Sequence, residues 1–231
     1  MKLIRSIMNY FTRTEIFLWS FSVVLIVISF CIFDRNNYLT LTASLIGVTS
    51  LIFCAKGNPV GQILMVLFSI IYGVISFGFK YYGEMLTYIG MTLPMSVFAL
   101  ISWLKNPYNG KRSQVSINNG LKAGEKILAA VLTAAVTVIF YYVLGYFNTA
   151  NIIPSTFSVS TSFLAVWLTY KRSPCFALAY ACNDVVLVIL WILASVTDIR
   201  YLSVVVCFCA FLINDIYGFI NWKRMQKSQQ G

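Results

Sequence analysis

Lys56-Gly57-Asn58-Pro59, followed by Tyr82 and then Ser102-Trp103-Leu104-Lys105, has an echo later in the chain: Lys171-Arg172-Ser173-Pro174, Tyr201 and Asn221-Trp222-Lys223-Arg224. The offset is 115 residues at the prolines (59 to 174) and 119 at the tyrosines and tryptophans (103 to 222), so one small difference in length between two copies accounts for every landmark. Both copies run in the same direction. Parallel repeats in an apolar chain are a known architecture of membrane carriers, which hold their cargo near the bilayer midplane where the repeats meet.

Composition agrees with a bilayer. Of 231 residues, 59% are hydrophobic and 10% charged, whereas a soluble domain carries about 25% charged residues. Apolar runs long enough to span hydrocarbon lie at about 15–33, 39–55, 60–79, 83–104, 124–146, 156–170, 174–196 and 201–222. The first follows Lys2, Arg5 and Arg13 but has no small-residue cleavage site, and reads as a retained span rather than a signal peptide.

The net charge of +10 follows from topology rather than from a nucleic-acid partner. With eight spans and both termini in the cytoplasm, fourteen of the seventeen Lys and Arg face inward and only Arg35, Lys80 and Arg200 face out, as the positive-inside rule requires. The predicted organisation is an N-terminal transmembrane helix (1–38), a first three-helix repeat (39–105), a cytoplasmic loop and linker helix (106–154), a second three-helix repeat (155–224) and a cytoplasmic tail (225–231). An unpaired linker helix restores the direction of the second copy. The expected fold is therefore an all-α integral membrane bundle with a 3+1+3 parallel repeat, the scheme of SWEET-type carriers, plus one leading helix.

The chain has no histidine, which removes the commonest proton relay and metal ligand. The six cysteines lack the spacing of a metal cluster and read as packing residues. No cofactor, metal or enzymatic constellation is expected. Of seven acidic residues, Glu15, Asp34, Glu84, Glu125 and Asp198 fall at span ends, where water or headgroups solvate them. Asp184 and Asp215 lie inside spans, each after an asparagine, and the first copy has Phe68-Ser69 and Met95-Ser96 at the matching places. Ionisable groups at that depth face a bundle interior or a polar cavity. A structural device would recur in both copies; a one-sided pair fits an asymmetric ligand. The plainer alternative is that such residues join helices by hydrogen bonds.

Asn214, Tyr217, Gly218 and Asn221 recur at helical spacing, with Asp215 at the edge of the stripe; Phe176, Tyr180, Asn183 and Leu187 share a face of the seventh span. Together they offer aromatic faces and amide or carboxylate groups, which suits a flat ring bearing hydroxyls. Gln62, Ser69, Tyr72, Tyr88 and Thr92 are the candidates from the first copy. Trp103 and Trp222, beside Lys and Arg at span ends, read as interfacial anchors.

With these residues in view, the chain resembles the PnuC-type vitamin transporters, typified by carriers of nicotinamide riboside. The likeness rests on Lys56-Gly57-Asn58-Pro59, on Tyr81-Tyr82-Gly83-Glu84, on Asn183, and on Asn214-Asp215-Ile216-Tyr217-Gly218 leading to Trp222-Lys223-Arg224, and covers about 40–224. Many members carry tryptophans one and two turns before the asparagine of the seventh span; here those places hold Phe176 and Ala179. The resemblance implies a homotrimer in the bacterial inner membrane, with one pathway per protomer. It also implies facilitated diffusion of an unphosphorylated nucleoside, trapped by a cytosolic kinase that feeds NAD synthesis. On this reading Phe176, Tyr180 and Tyr217 hold the ring, and Asn183, Asn214, Asp184 and Asp215 the ribose hydroxyls or carboxamide. Rival cargoes are a deoxynucleoside, thiamine or riboflavin, and a rival mode is proton-coupled symport through Asp184 or Asp215.

Overall fold

The computed structural model describes residues 10–78, 82–149 and 151–231; Lys2, Arg5, Lys80 and Tyr81 of the sequence reading lie outside the described residues. Among the described residues, eight helices are long and apolar enough to cross a membrane. They are α1 (Arg13–Phe33), α2 (Tyr38–Ala55), α3 (Val60–Gly78), α4 (Tyr82–Lys105), α5 (Ala123–Tyr146), α6 (Ile152–Tyr170), α7 (Cys175–Ser195) and α8 (Leu202–Gln230). Starts are dictated locally. Thr12 and Glu15 cap one another's backbone in a reciprocal box at α1, and Asn37 accepts from Thr40 N at α2. Pro59 and Pro174, which lack an N–H to leave unsatisfied, stand just before α3 and α7.

Six helices close into a ring: α3 packs between α2 and α4, α7 between α6 and α8, and the two triplets meet along α2 with α8 and α4 with α6. Lipid is as apolar as leucine, so small residues that permit close approach must supply the cohesion. Accordingly α2 buries Ala43, Ser44, Gly47, Ser50 and Ala55, and α6 buries Ser155, Ser158, Ser162 and Ala165. Backbones approach closely at Gly61 of α3, whose carbonyl accepts from Ser50 Oγ at 2.7 Å. A Cβ there would lie 2.5 Å from Cys54 Sγ, 2.7 Å from Cys54 N and 2.9 Å from Ser50 O. Backbone atoms cannot step aside. Gly61→Ala is therefore expected to destabilise the protein by about 1–3 kcal/mol, seen as a lower thermal midpoint in detergent.

α1 and α5 flank this ring. α1 buries one stripe, Glu15, Leu18, Ser22, Ile26 and Ser29, against α2 and α8. Glu15 was expected to be solvated at a span end, yet it is 1% exposed. Lys56 Nζ lies 3.1 Å from its carboxylate and the Tyr217 hydroxyl donates to it at 3.1 Å, so partners distant in sequence replace water. Glu84 departs from expectation in the same way, being 2% exposed beside Tyr72 and Tyr88. α5 buries only Ala129 and Leu144 and packs along α6, with Thr137 Oγ1 2.6 Å from Ser160 Oγ.

The tryptophans overturn their expected role as interfacial anchors, because Trp103 is 1% and Trp222 0% exposed. Each indole N–H reaches across to the other triplet: Trp103 Nε1 donates to Thr169 O of α6 at 3.0 Å, and Trp222 Nε1 to Cys54 O of α2 at 2.8 Å. Their neighbours do the same, Ser102 Oγ to Tyr170 O at 2.9 Å and Asn221 Nδ2 to Ala55 O at 2.8 Å. A helix leaves its last carbonyls without partners, and here the end of one triplet supplies them to the other. The rings of Trp103 and Trp222 meet at 5.4 Å, and Phe176 packs on Trp222 at 4.7 Å.

Residues 106–122, expected as a loop leading to the linker helix, build structure of their own. Pro107–Tyr108 (β1) and Lys111–Val115 (β2) form an antiparallel hairpin. Its turn places Asn109 and Gly110 at positive φ, the Asn-Gly preference of a tight hairpin. The segment then straps both triplets. Val115 N donates to Gly57 O at 2.9 Å, Asn118 N donates to Arg172 O at 3.0 Å, and Val115 and Ile117 are buried. α8 runs past its expected end at 222 to Gln230 because Gln229 holds this strap, accepting from Ile117 N at 2.8 Å and donating to Val115 O at 3.1 Å.

Candidate functional site

Inside the ring, polar side chains converge on a small cavity of about 30 Å³. Tyr88 and Thr92 come from α4, Tyr180, Asn183 and Asp184 from α7, and Asp215 from α8, with Leu51, Met65, Phe68, Ser162, Phe208 and Phe211 completing the wall. Other hollows are larger: about 290 Å³ between α1 and α2, lined by Phe11, Trp19 and Phe53, and about 330 Å³ beside Lys56 and Gln114. The small cavity is the better candidate, since it gathers two acids and an amide from the interior of spans inside aromatic walls.

Local irregularity positions the α4 residues. Thr87–Thr92 forms a wide π-helical turn immediately before Pro94, whose ring cannot fit a regular helix, and Thr92 Oγ1 donates to Thr87 O at 3.1 Å. This turn carries Tyr88, which stands 4.5 Å from Tyr72 and 5.8 Å from Phe68 between ring centroids. On α7, Thr161 Oγ1 of α6 donates to Asn183 Oδ1 at 2.8 Å, which fixes the amide and leaves its NH₂ end for a ligand. Asp184 and Asp215 are 3% and 4% exposed and their carboxyl groups are in side-chain contact.

Six expected site residues are thus gathered: Asn183, Asp184, Asp215, Tyr180, Tyr88 and Thr92. Five others stand elsewhere, each for a geometric reason. Adjacent residues of a helix point about 100° apart; on α7 both Asn183 and Asp184 still reach the cavity, whereas on α8 Asp215 faces it and Asn214 turns toward α1. It donates instead to Ser22 Oγ of α1 at 2.9 Å and to Ala210 O at 2.7 Å. Tyr217, one turn on, serves Glu15. Phe176 lies a turn from Tyr180, ring to ring at 6.2 Å, but is drawn between the two tryptophans. Gln62 donates to Cys54 Sγ at 3.3 Å, and Tyr72 stands behind Tyr88 against Trp191. Ser69, a lesser candidate, donates to Met65 O within its own helix. Phe208 and Phe211 were not among the expected site residues, yet 208, 211 and 215 share a helical face, the sequence signal that marks the cavity side of α8.

The profile of the nicotinamide mononucleotide transporter family matches residues 37–224. A protein of Neisseria mucosa named nicotinamide riboside transporter PnuC is 22% identical over 204 residues, 87% of this chain and 77% of that protein. One of the same name from Haemophilus influenzae is 21% identical over 196 residues, covering 83% and 82%. A crystal structure of the vitamin B3 transporter PnuC has the same fold, with a TM-score of 0.81 at 20% identity over 95% of this chain and 94% of that one.

Proposed function

Because the chain belongs to the nicotinamide mononucleotide transporter family, a family of multi-pass membrane transporters, we propose that it carries nicotinamide riboside inward across the bacterial inner membrane. The observation that carries this reading is the cavity itself. It pairs two carboxyl groups with aromatic faces, and a pyridinium ring is a flat cation that both attract. Tyr88, Tyr180 and Phe208 flank the ring, Asp184 and Asp215 answer its charge, and Asn183 and Thr92 hydrogen-bond the ribose or carboxamide. The same electrostatics favour a cationic vitamin such as thiamine, and disfavour a neutral deoxynucleoside or riboflavin.

The 3+1+3 parallel repeat with SWEET-like packing belongs to this proposal. It is supported by the swapped indole bonds, whose donors Trp103 and Trp222 and acceptors Cys54 and Thr169 keep the offsets of the sequence repeat. The end bearing Lys56, Lys105 and Lys171 faces the cytoplasm, as do both termini. Transport is facilitated diffusion through each protomer of a homotrimer, with a cytosolic kinase trapping the product. A pocket for a small molecule is ordinarily about 300 Å³ or more, so the cavity must widen to admit cargo. The irregular turn of α4 is the element suited to yield.

Nicotinamide riboside is expected to bind the purified protein with calorimetric saturation, and labelled riboside to equilibrate across proteoliposomes without accumulating. Unlabelled thiamine, deoxynucleosides and riboflavin serve as competitors. Saturable binding of one of these in its place would reassign the cargo, and accumulation without an imposed gradient would rule out facilitated diffusion.

A further inference from the structure

Asp184 and Asp215 face each other with nothing positive beside them. The titratable groups around the pair are Tyr88 from α4, Cys54 from α2, Tyr180 from α7, and Cys207 and Cys209 from α8. α3 and α6 contribute Phe68 and Ser162, which do not titrate. Among the described residues, no Lys or Arg lies against either carboxyl. Asp184 Oδ2 is fully buried at the cavity and has no hydrogen-bond donor. Two bare carboxylates in such surroundings repel at close range and lose their hydration, so the arrangement holds together only with a positive charge shared between them.

A proton can fill that role, and so can a cationic ring. We propose that a proton and the cationic ring of the ligand compete for the Asp184–Asp215 pair, so that loading a cationic nucleoside discharges a proton from the site. The charge count favours exchange. The pair with one proton carries a single negative charge, and the deprotonated pair with a monocationic ligand carries the same. The O–H bond that breaks leaves its electron pair on the carboxylate and the proton passes to water; the empty pair takes up or loses a proton on either side, so the exchange does not drive transport. A pair that keeps its proton offers the ring one negative charge instead of two, so the proton and the ring weaken each other's binding. This inference rests on the cavity being the riboside site.

The test is calorimetry of the wild-type protein with nicotinamide riboside between about pH 5 and about pH 8, in buffer pairs of different ionisation enthalpy. The linkage relation predicts that affinity rises with pH, by up to about tenfold per unit where exchange is complete, and that up to about one proton is released per ligand. The reduced riboside, which has the same shape without the charge, should release none. Asp215→Asn should abolish proton release while Asp215→Glu retains it, and the wild-type buffer comparison stands even if Asp215→Asn folds poorly. Riboside binding with flat pH dependence and no proton release would overturn the inference and leave the transport reading intact. No riboside binding at any pH would overturn both.

Discussion

Trp222→Ala will cost the folded protein about 3–5 kcal/mol, the range for deleting a fully buried large aromatic, and will lower its thermal midpoint in detergent more than any surface substitution. Two losses combine. The indole is 0% exposed, so its removal opens a hole beside Trp103 and Phe176. Its N–H is also the donor to Cys54 O at 2.8 Å, and a buried carbonyl stripped of its donor costs about 1–3 kcal/mol by itself. Trp222→Phe separates these terms by restoring most of the volume without the donor. Trp103→Ala should behave alike through Thr169 O. Because the two rings touch, the double variant should lose less than the sum of the singles. Strict additivity in that cycle would mean that the two cross-links are independent and that no common cluster joins the triplets at this end.

These tryptophans also show where a sequence stops being informative. Their positions were plain as landmarks, and the offsets between copies pointed to equivalent places in the fold. Their environment was misread, because Trp beside Lys and Arg is the usual signature of a headgroup belt. The carbonyls that draw the indoles inward belong to the other copy, 168 residues away for Trp222 and 66 for Trp103. Glu15 repeats the lesson: its address beside Arg13 reads as solvated, while Lys56 and Tyr217, 41 and 202 residues distant, make it a buried anchor for α1. Helix existence was legible because each span must satisfy its own backbone within a run of apolar residues. Local periodicity also brought Tyr180 and Asn183 to one cavity, and depth within a span singled out Asp184 beside them. It failed at Asn214 and Tyr217, where helical spacing established a common face but not which neighbour that face would meet.

That failure yields the second large expectation, a reversal of roles between two asparagines that look equivalent in the chain. Asn183→Ala should weaken riboside binding about 10–100-fold, equivalent to roughly 1.4–2.8 kcal/mol, with little change in thermal midpoint. The variant also removes the oxygen that accepts from Thr161, but that hydroxyl keeps Phe157 O at 2.8 Å and Ser158 O at 3.1 Å as acceptors within α6, so the loss falls on the bond that the cavity-lining amide makes to the ligand. Asn214→Ala should do the opposite. Its amide ties α8 to Ser22 of α1, a seam between helices that remains whether or not cargo is present. Binding should stay within about twofold while stability falls by about 0.5–2 kcal/mol, the range measured for hydrogen bonds between membrane helices. Calorimetry and thermal unfolding on the same two preparations separate the outcomes. Loss of binding in Asn214→Ala with unchanged stability would return that residue to the substrate site and imply that α8 rotates by about a quarter turn during the cycle. Retained binding in Asn183→Ala would remove the amide from the recognition chemistry, leaving the carboxyl pair and the aromatic walls to select the ligand by charge and shape alone.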